Sequence, residues 1–320
     1  MAKETQIDLS LIIVSWNVRD LLQDCVNSII VGRGHLNVEV VIVDSASSDG
    51  SPQMVQDEFP QDRFPWIHLI ACDNNVGFPK GNNIGLKTAV GRHILLLNPD
   101  TIVLGAALPQ MVNYMDANPD IGVLGPQLLN PDKSVQSSRR RFPTMATAFF
   151  ESSWLEPYAP AKLLQTYYAE DIADDAVADV DWVMGAAMLV PAHVVTQIGG
   201  MDEAYFMYSE ELDWCRRIKD AGWRVVYYPE AKIIHYTGKS SEQAVTARHV
   251  NFQRAKLRYF RKYNGRFSAF ILRLFLLCNY LWQIIVEGIK WLFGHKRPLR
   301  CQRIRAYWQV VKSGLPPAGY

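Results

Sequence analysis

The first 130 residues alternate continuous apolar, β-branched runs with stretches whose apolar positions recur at helical spacing. That alternation limits the possible folds more than any other feature of the chain. Leu9–Trp16 (LSLIIVSW), Val38–Val43 (VEVVIV), Trp66–Ala71, His93–Leu97 (HILLL) and Ile121–Leu124 read as strands. Between them, Arg19–Ile30 sets Leu21, Leu22, Cys25, Val26 and Ile29 on one helical face, and Ser51–Phe59, Gly81–Val90 and Ala107–Ala117 read as further helices. Strands apolar at every position are buried on both faces. The βαβα order then predicts an α/β fold, with an open, mostly parallel sheet flanked by helices on both sides.

In such sheets ligands bind beyond the carboxyl ends of the strands. The polar residues found there are Asn17, Asp44, Asp73-Asn74-Asn75 and Asn98-Pro99-Asp100. Carboxylates at three of these four positions suit a divalent cation, or hydrogen bonds to a base and a sugar. Neither a GxGxxG nor a GxxxxGK[ST] pattern follows any strand, which counts against dinucleotide and P-loop phosphate sites.

Beyond residue 130 the pattern loosens. Residues 131–180, with SVQSSRRRFPT and YAEDIADDAVADVD, read as loops and short helices over the sheet edge. Regular structure resumes with a strand at Trp182–Val190, a helix at Glu210–Ala221, and short strands at Arg224–Tyr228 and Lys232–His235. Arg254–Tyr263 reads as a basic, aromatic helix, and Phe267–Trp291 is a long apolar stretch. This divides the chain into a body, 1–253, in two parts, 1–130 and 131–253, and a tail, 254–320.

Charge follows the same division. The formal net charge is +1, yet residues 254–320 carry 14 Lys and Arg against one acid, Glu287, a net of +13. The preceding residues carry a net of −12. A tail of this kind seeks an anionic partner. No recognised module accompanies it, so nucleic acid is the weakest choice. Phe267–Val286 approaches the roughly 20 apolar residues needed to span a bilayer, but Arg273 interrupts it. A spanning helix, an interfacial helix on anionic lipid and a helix packed on the body all stay open. The five cysteines form no CxxC pair and the first ten residues lack an apolar signal core, so a reducing cytosolic compartment is expected.

The segments IIVSWN, VIVDSASSDGS, NNVGFPKGNNIGL, LLLNPD and GGMDEAYFMYSEELDWCRRIKDAGW, in this order, resemble the inverting family 2 glycosyltransferases of the GT-A fold, in particular their bacterial rhamnosyltransferase-like branch. The resemblance runs over about residues 9–240. It implies a GT-A (Rossmann-like) fold, and it assigns Asp44 to the N3–H of a uracil or thymine, for which a carboxylate is a suitable acceptor. Ser45 stands where many relatives carry a second acid. Asn98-Pro99-Asp100 takes the place of the DxD motif, so Asp100 would bind Mg²⁺ or Mn²⁺ together with diphosphate oxygens. Asn98 brings no charge there and would donate to a ribose or phosphate oxygen. A simple Asn-Pro-Asp turn is the competing reading.

The cluster Asn75, Gly77, Gly81, Asn82, Asn83 and Gly85, whose glycines permit close backbone approach, would complete the donor site with Asn17, and Lys80 would meet a phosphate, although Gly and Asn are also ordinary turn residues. Glu210-Glu211-Leu212-Asp213, followed by Arg217, matches the family's acidic block. The position of the general base falls on Glu211, and Glu210 and Asp213 are its catalytic neighbours. Acids that merely stabilise a helix N-terminus are the alternative. Trp182, Gly185, Asp202 and Arg217 would meet the acceptor. His235, opening HYTGKSS, would complete the metal site or touch the diphosphate, or serve only the fold. Arg139-Arg140-Arg141 would bind a diphosphate or be a solvated loop.

These readings imply a metal-dependent inverting transferase. It would move a sugar, rhamnose in the first place, from a dTDP- or UDP-sugar to a lipid-linked glycan, at the cytoplasmic face of a bacterial inner membrane. It would be held there peripherally or by one helix. A nucleotidyltransferase would need a Gly-rich basic loop where SWNVRD stands. A processive synthase would need a Q-x-x-R-W block, which Gln302-Arg303-Ile304-Arg305-Ala306 misses. A non-catalytic sugar- or lipid-binding protein would have no use for Asp100 and Glu211.

Overall fold

The computed structural model describes residues 6–151, 153–237, 245–294 and 296–319. Its elements run β1 (Leu9–Ser15), α1 (Arg19–Gly32), β2 (Val38–Asp44), α2 (Ser51–Glu58), β3 (Ile67–Ala71), α3 (Phe78–Leu86), β4 (His93–Leu97), β5 (Thr101–Val103), α4 (Ala107–Ala117) and β6 (Ile121–Leu129). There follow β7 (Val135–Gln136), β8 (Arg139–Arg140), α5 (Met145–Phe150), α6 (Ala161–Tyr167), β9 (Ala178–Asp179), β10 (Trp182–Val183) and β11 (Ala187–Pro191). The chain ends with α7 (Ala192–Ile198), α8 (Glu210–Asp220), β12 (Arg224–His235), α9 (Val245–Leu292) and α10 (Arg297–Ser313). It divides into two compact units.

The first unit comprises Met1–Arg141, Tyr168–Glu203 and Glu211–Ser240. Its sheet has the order β3-β2-β1-β4-β11-β6-β12-β5. The first four strands are parallel. β11 then enters antiparallel to both β4 and β6, which makes the sheet mixed. Successive side chains of β1 point to opposite faces. Leu9, Leu11 and Ile13 join a core with Leu22, Val26 and Ile29 of α1 and Leu108 and Val112 of α4. Ile12 joins the opposite core, with Trp214, Cys215 and Ile218 of α8 and Val194 of α7. Helix α3 lies against β1 so closely that a Cβ on Gly85 would meet Ile12 Cγ2 at 2.4 Å, and one on Gly81 would meet Val14 Cγ1 at 2.7 Å. These two glycines are required by helix-on-sheet packing.

Several boundaries differ from the sequence expectation. Trp182–Val190 is broken into β10 and β11 by the turn at 184–186. The two expected strands at 224–235 are one, β12, with a register shift between Tyr228 and Lys232. Pro229 lies inside that shift, where a missing N–H is tolerated. β5 is too short for any periodicity to reveal and forms only by antiparallel pairing with β12.

The second unit comprises Phe142–Tyr167, Ala204–Glu210 and Ser241–Tyr320. The basic helix and the apolar stretch join here as α9, broken at Gly265, whose φ of 88° interrupts the helix. The second arm of α9 packs on α10. Arg300 Nη1 donates to both Glu287 carboxylate oxygens at 2.7 and 3.0 Å. Arg273 Nε donates to the Gly314 carbonyl at 2.6 Å, and Phe275 meets Phe149 of α5 edge-to-face at 4.8 Å.

Candidate active site

The carboxyl ends of β3, β2, β1 and β4 lie side by side, so their loops share one edge of the sheet. At the end of β2, Asp44 is 2% exposed. Its Oδ2 accepts the Ser47 N–H at 2.9 Å, whereas its buried Oδ1 has no hydrogen-bond partner among the described residues. The neighbouring loops are knitted around it. Asn17, held at φ 51°, accepts the Ser48 N–H at 2.7 Å and donates its own N–H to Ser47 Oγ at 2.9 Å. Asn75 Oδ1 accepts from Ser45 Oγ at 3.2 Å and from the Gly77 N–H at 3.0 Å. Gly77 has φ 78°, a conformation that glycine adopts without strain, and it starts α3. Lys80, on the first turn of α3, is exposed.

Two strands further, at the end of β4, the Asn98 N–H donates to the Ala186 carbonyl at 2.9 Å, while its buried side-chain Oδ1 has no hydrogen-bond partner among the described residues. Asp100 is brought to His235 by the pairing of β5 with β12, in which Thr101 faces His235. His235 Nε2 lies 3.5 Å from Asp100 Oδ1, and both side chains are buried. Gln136 Oε1 sits 2.8 Å from His235 Nδ1. The Gln136 amide nitrogen is directed to Asn130 Oδ1 at 3.0 Å and Thr237 Oγ1 at 2.7 Å, so the oxygen faces the imidazole and accepts its Nδ1–H. That leaves Nε2 turned toward the Asp100 carboxylate. Among the described residues no three His, Cys, Asp or Glu side chains converge to cage a metal. The pair nevertheless suits a hard cation, which commonly takes one or two protein ligands and fills its shell from substrate phosphates. Of HYTGKSS, residues 238–241 lie outside the described set.

The turn 184–186 links this corner to the acidic helix. Gly185 lies against Glu211: a Cβ there would meet the Glu211 side chain at 3.4–3.7 Å. Burial raises the Glu211 carboxyl above the ordinary glutamate range, against the opposing effect of hydrogen bonds from backbone N–H groups that include Gly185. The half-buried carboxylate keeps one oxygen, Oε2, without a hydrogen-bond partner among the described residues. Its neighbours are differently placed. Asp213 is fully buried and accepts from Arg217 Nε at 3.0 Å. Arg217 also donates to the carbonyls of Ile198 at 3.1 Å and Gly200 at 2.7 Å, so the two side chains hold the turn after α7. Glu210 is buried and belongs to the second unit.

The other expected residues are spread more widely. Asn83 gives its whole amide to the loop after Gly200: Nδ2 donates to the Met201 carbonyl at 2.8 Å and to Glu203 at 2.9 Å, and Oδ1 accepts the Met201 N–H at 2.9 Å. It thereby positions the half-buried Asp202. Trp182 donates its indole N–H to the Arg141 carbonyl at 3.0 Å. Arg139 is buried, paired with Asp174 at 2.8 Å and stacked over Tyr227. Cys25 lies behind the Asn98 carbonyl at 3.6 Å, its thiol pushed up to about 12 by burial; it is no nucleophile. Gln136 was not anticipated, because SVQSS carries no signal for a residue that reaches His235 only through sheet pairing.

The family described as Glycosyltransferase like family 2 matches residues 6–250. Among curated relatives, an N-acetylglucosaminyl-diphospho-decaprenol L-rhamnosyltransferase of Mycobacterium tuberculosis is 29% identical over 235 residues, covering 66% of this chain and 72% of its own. Rhamnosyltransferase WbbL of Escherichia coli K12 is 32% identical over 168 residues, covering 50% of this chain and 61% of its own. Among solved structures, a mannosyltransferase from Pyrobaculum calidifontis in complex with GDP-Man and Mn²⁺ superposes over 97% of this chain and 87% of its own, with a TM-score of 0.57 at 15% identity. GalNAc-T7 with UDP, GalNAc and Mn²⁺ superposes over 78% of this chain and 48% of its own, with a TM-score of 0.56 at 14% identity. The fold is GT-A-like, and the chain belongs to glycosyltransferase family 2.

Proposed function

We propose that this glycosyltransferase inverts configuration as it moves rhamnose from a dTDP- or UDP-sugar to a lipid-linked glycan, with a divalent cation at Asp100. The acceptor and sugar classes are drawn from the rhamnosyltransferases it resembles. The observation that carries the reading is Glu211: a carboxylate with a raised pKa and one buried, unpartnered oxygen, held beside the turn that also anchors Asn98.

In this reading the free Asp44 Oδ1 accepts the N3–H of the base. Two strand spacings, about 10 Å, separate the end of β2 from that of β4, a span that suits a ribose between base and diphosphate. Asp100 and His235 Nε2 would hold Mg²⁺ or Mn²⁺, with Gln136 fixing the imidazole. When bound, the cation offsets the negative charge that grows on the departing diphosphate. Glu211 accepts the proton of the acceptor hydroxyl as the bond from that oxygen to the sugar's anomeric carbon forms. The anomeric carbon–diphosphate bond breaks on the opposite side and its electron pair leaves with the nucleotide. Asp213 and Arg217 keep the helix of Glu211 in register with the turn at 198–200.

The test is direct. Purified protein is given dTDP-rhamnose or UDP-sugars, a polyprenyl-diphosphate N-acetylglucosamine acceptor and Mg²⁺ or Mn²⁺, and the anomeric configuration of the product is read by NMR. A product of inverted configuration, lost on chelation, is expected. Transfer with retention, or transfer undiminished by a chelator, overturns the proposal.

A further inference from the structure

The second arm of α9 presents a continuous apolar face to solvent. At 100° per residue, Phe267, Phe270, Ile271, Leu274, Leu281, Trp282, Ile285, Ile289 and Leu292 fall on one stripe, and every one of them is exposed. The opposite face is buried; it packs Leu272, Leu276 and Tyr280 and also carries Asn279, Glu287 and the inward-turned Arg273. Composition and length alone would let this helix cross a bilayer. Its packing argues otherwise. α10 lies along the same arm, joined to it by the buried Glu287–Arg300 pair. α10 reads RPLRCQRIRAYWQVVKS, with five Lys and Arg. A spanning α9 would either carry those charges into hydrocarbon or break the pair, and both are costly.

We infer that the second arm of α9 lies in the plane of an anionic bilayer. Its apolar stripe enters the boundary between headgroups and acyl chains, and the α9–α10 pair stays whole above it. Two observations name the occupant. From residue 254 onward the only acid, Glu287, is buried against Arg300 and Arg303, so the outward charge there is entirely positive. Arg266, Lys290, Lys296 and Arg297 are exposed at the two ends of the stripe, positioned for lipid phosphates. The stripe is about 39 Å long, longer than the roughly 30 Å hydrocarbon core, and Trp282, a residue suited to an interface, stands on it. This inference does not depend on the reaction proposed above.

The test uses full-length protein, with Cys72 and Cys301 replaced by Ser so that exposed Cys278, which lies on the stripe, carries an environment-sensitive fluorophore. In separate proteins Phe267→Cys or Leu292→Cys carries it, with Cys278→Ser. With vesicles of phosphatidylglycerol and phosphatidylcholine, depth-dependent quenching should place all three labels at one shallow level. Vesicle flotation should fall with phosphatidylcholine alone and in high salt. Phe270→Glu with Leu274→Glu should cut partition by about tenfold or more, because the two side chains leave the apolar phase. The melting temperature should hold, since both positions are exposed, and Val31→Glu, at an exposed site on the first unit, should float as wild type. A label at Cys278 near the bilayer centre with both end labels shallow would mean that the helix spans, and would overturn the inference. So would protein that does not float and sediments as a dimer dissociated by the double Glu substitution, which would assign the stripe to a second copy.

Discussion

Glu211→Gln separates proton transfer from everything else this carboxylate does. The amide keeps the size of the side chain and can still accept the Gly185 N–H, so helix α8 has no reason to move. What is lost is a base, worth about 10²–10⁴ in rate, or about 3–5 kcal/mol of transition-state stabilisation. The kcat measured with saturating donor and acceptor should fall by that factor. Donor affinity by calorimetry should stay within error, because Asp44 and Asp100 are untouched. In the wild type the acid limb of the kcat–pH profile should have its midpoint above about 4.3, the ordinary glutamate value, since burial favours the protonated form. The same shift has a sign in stability. A carboxyl with a raised folded pKa contributes its full stability below the unfolded pKa and loses it as pH rises through the folded one. Glu211→Gln should therefore melt no lower than wild type at neutral pH, and its advantage should grow from pH 4 to pH 8. If Glu210→Gln or Asp213→Asn lowers kcat further while melting normally, or if Glu211→Gln loses stability as pH rises, the base is misassigned.

Asp44→Ala should weaken nucleotide binding by about 1.5–3 kcal/mol, the worth of a hydrogen bond to a charged group, read by calorimetry with dTDP and UDP; unchanged affinity for both would remove its role. His235→Gln should raise the metal concentration needed for half-maximal activity, and Gln136→Leu, which frees the imidazole, should do so to a smaller degree; equal metal response in all three proteins would detach this corner from the cation. Gly85→Val should destabilise the first unit by at least the about 1–3 kcal/mol typical of overpacking, because its Cβ alone meets Ile12 at 2.4 Å; chemical denaturation reads it. Arg217→Met leaves Asp213 buried without its cation and should cost toward the lower end of about 3–5 kcal/mol, since the Arg217 side chain is itself 24% exposed.

The parallel half of the sheet could be read from the chain because each buried strand is a run of β-branched residues and each helix keeps its apolar spacing. Asp44, Asn98 and Asp100 could be placed at the carboxyl edge for the same reason: they follow those runs directly. What sequence could not show is which polar residues are spent on the fold. Asn83 and Arg217 stand in motifs that suggest ligand contact, yet both close their hydrogen bonds on the 198–203 turn. The role of Gln136 depends on a partner 99 positions away. The antiparallel entry of β11 is set by the tertiary pairing of Ala187 with Leu97, which no local pattern encodes. In the tail, the apolar stretch was evident, but the sequence alone left three roles for it; only the packing of α10 against the opposite face of α9 turns the stripe outward.

Buried oxygens without a partner give the proposed site a physical basis that does not depend on motifs, and such atoms also occur away from it, as at Ser138 and Gln253. Asp213 and Asn83 are bonded to neighbouring groups. Along the carboxyl edge of the sheet, Ser15 Oγ, Asp44 Oδ1, Asn98 Oδ1 and Glu211 Oε2 are buried with no hydrogen-bond partner among the described residues. Each such group costs about 1–3 kcal/mol when left unsatisfied, so four at one edge represent a sizeable fraction of a domain's net stability. Three of them, Asp44 Oδ1, Asn98 Oδ1 and Glu211 Oε2, are amide or carboxylate oxygens that accept, whereas the Ser15 hydroxyl both donates and accepts. The ligand that relieves them must bring N–H and O–H donors or positive charge. In the proposed function a nucleotide sugar would supply the imide N–H and the ribose and sugar hydroxyls, and its accompanying cation the charge. On the proposed function the edge would take the sugar, the base and the ion, and the diphosphate would be reached through the ion.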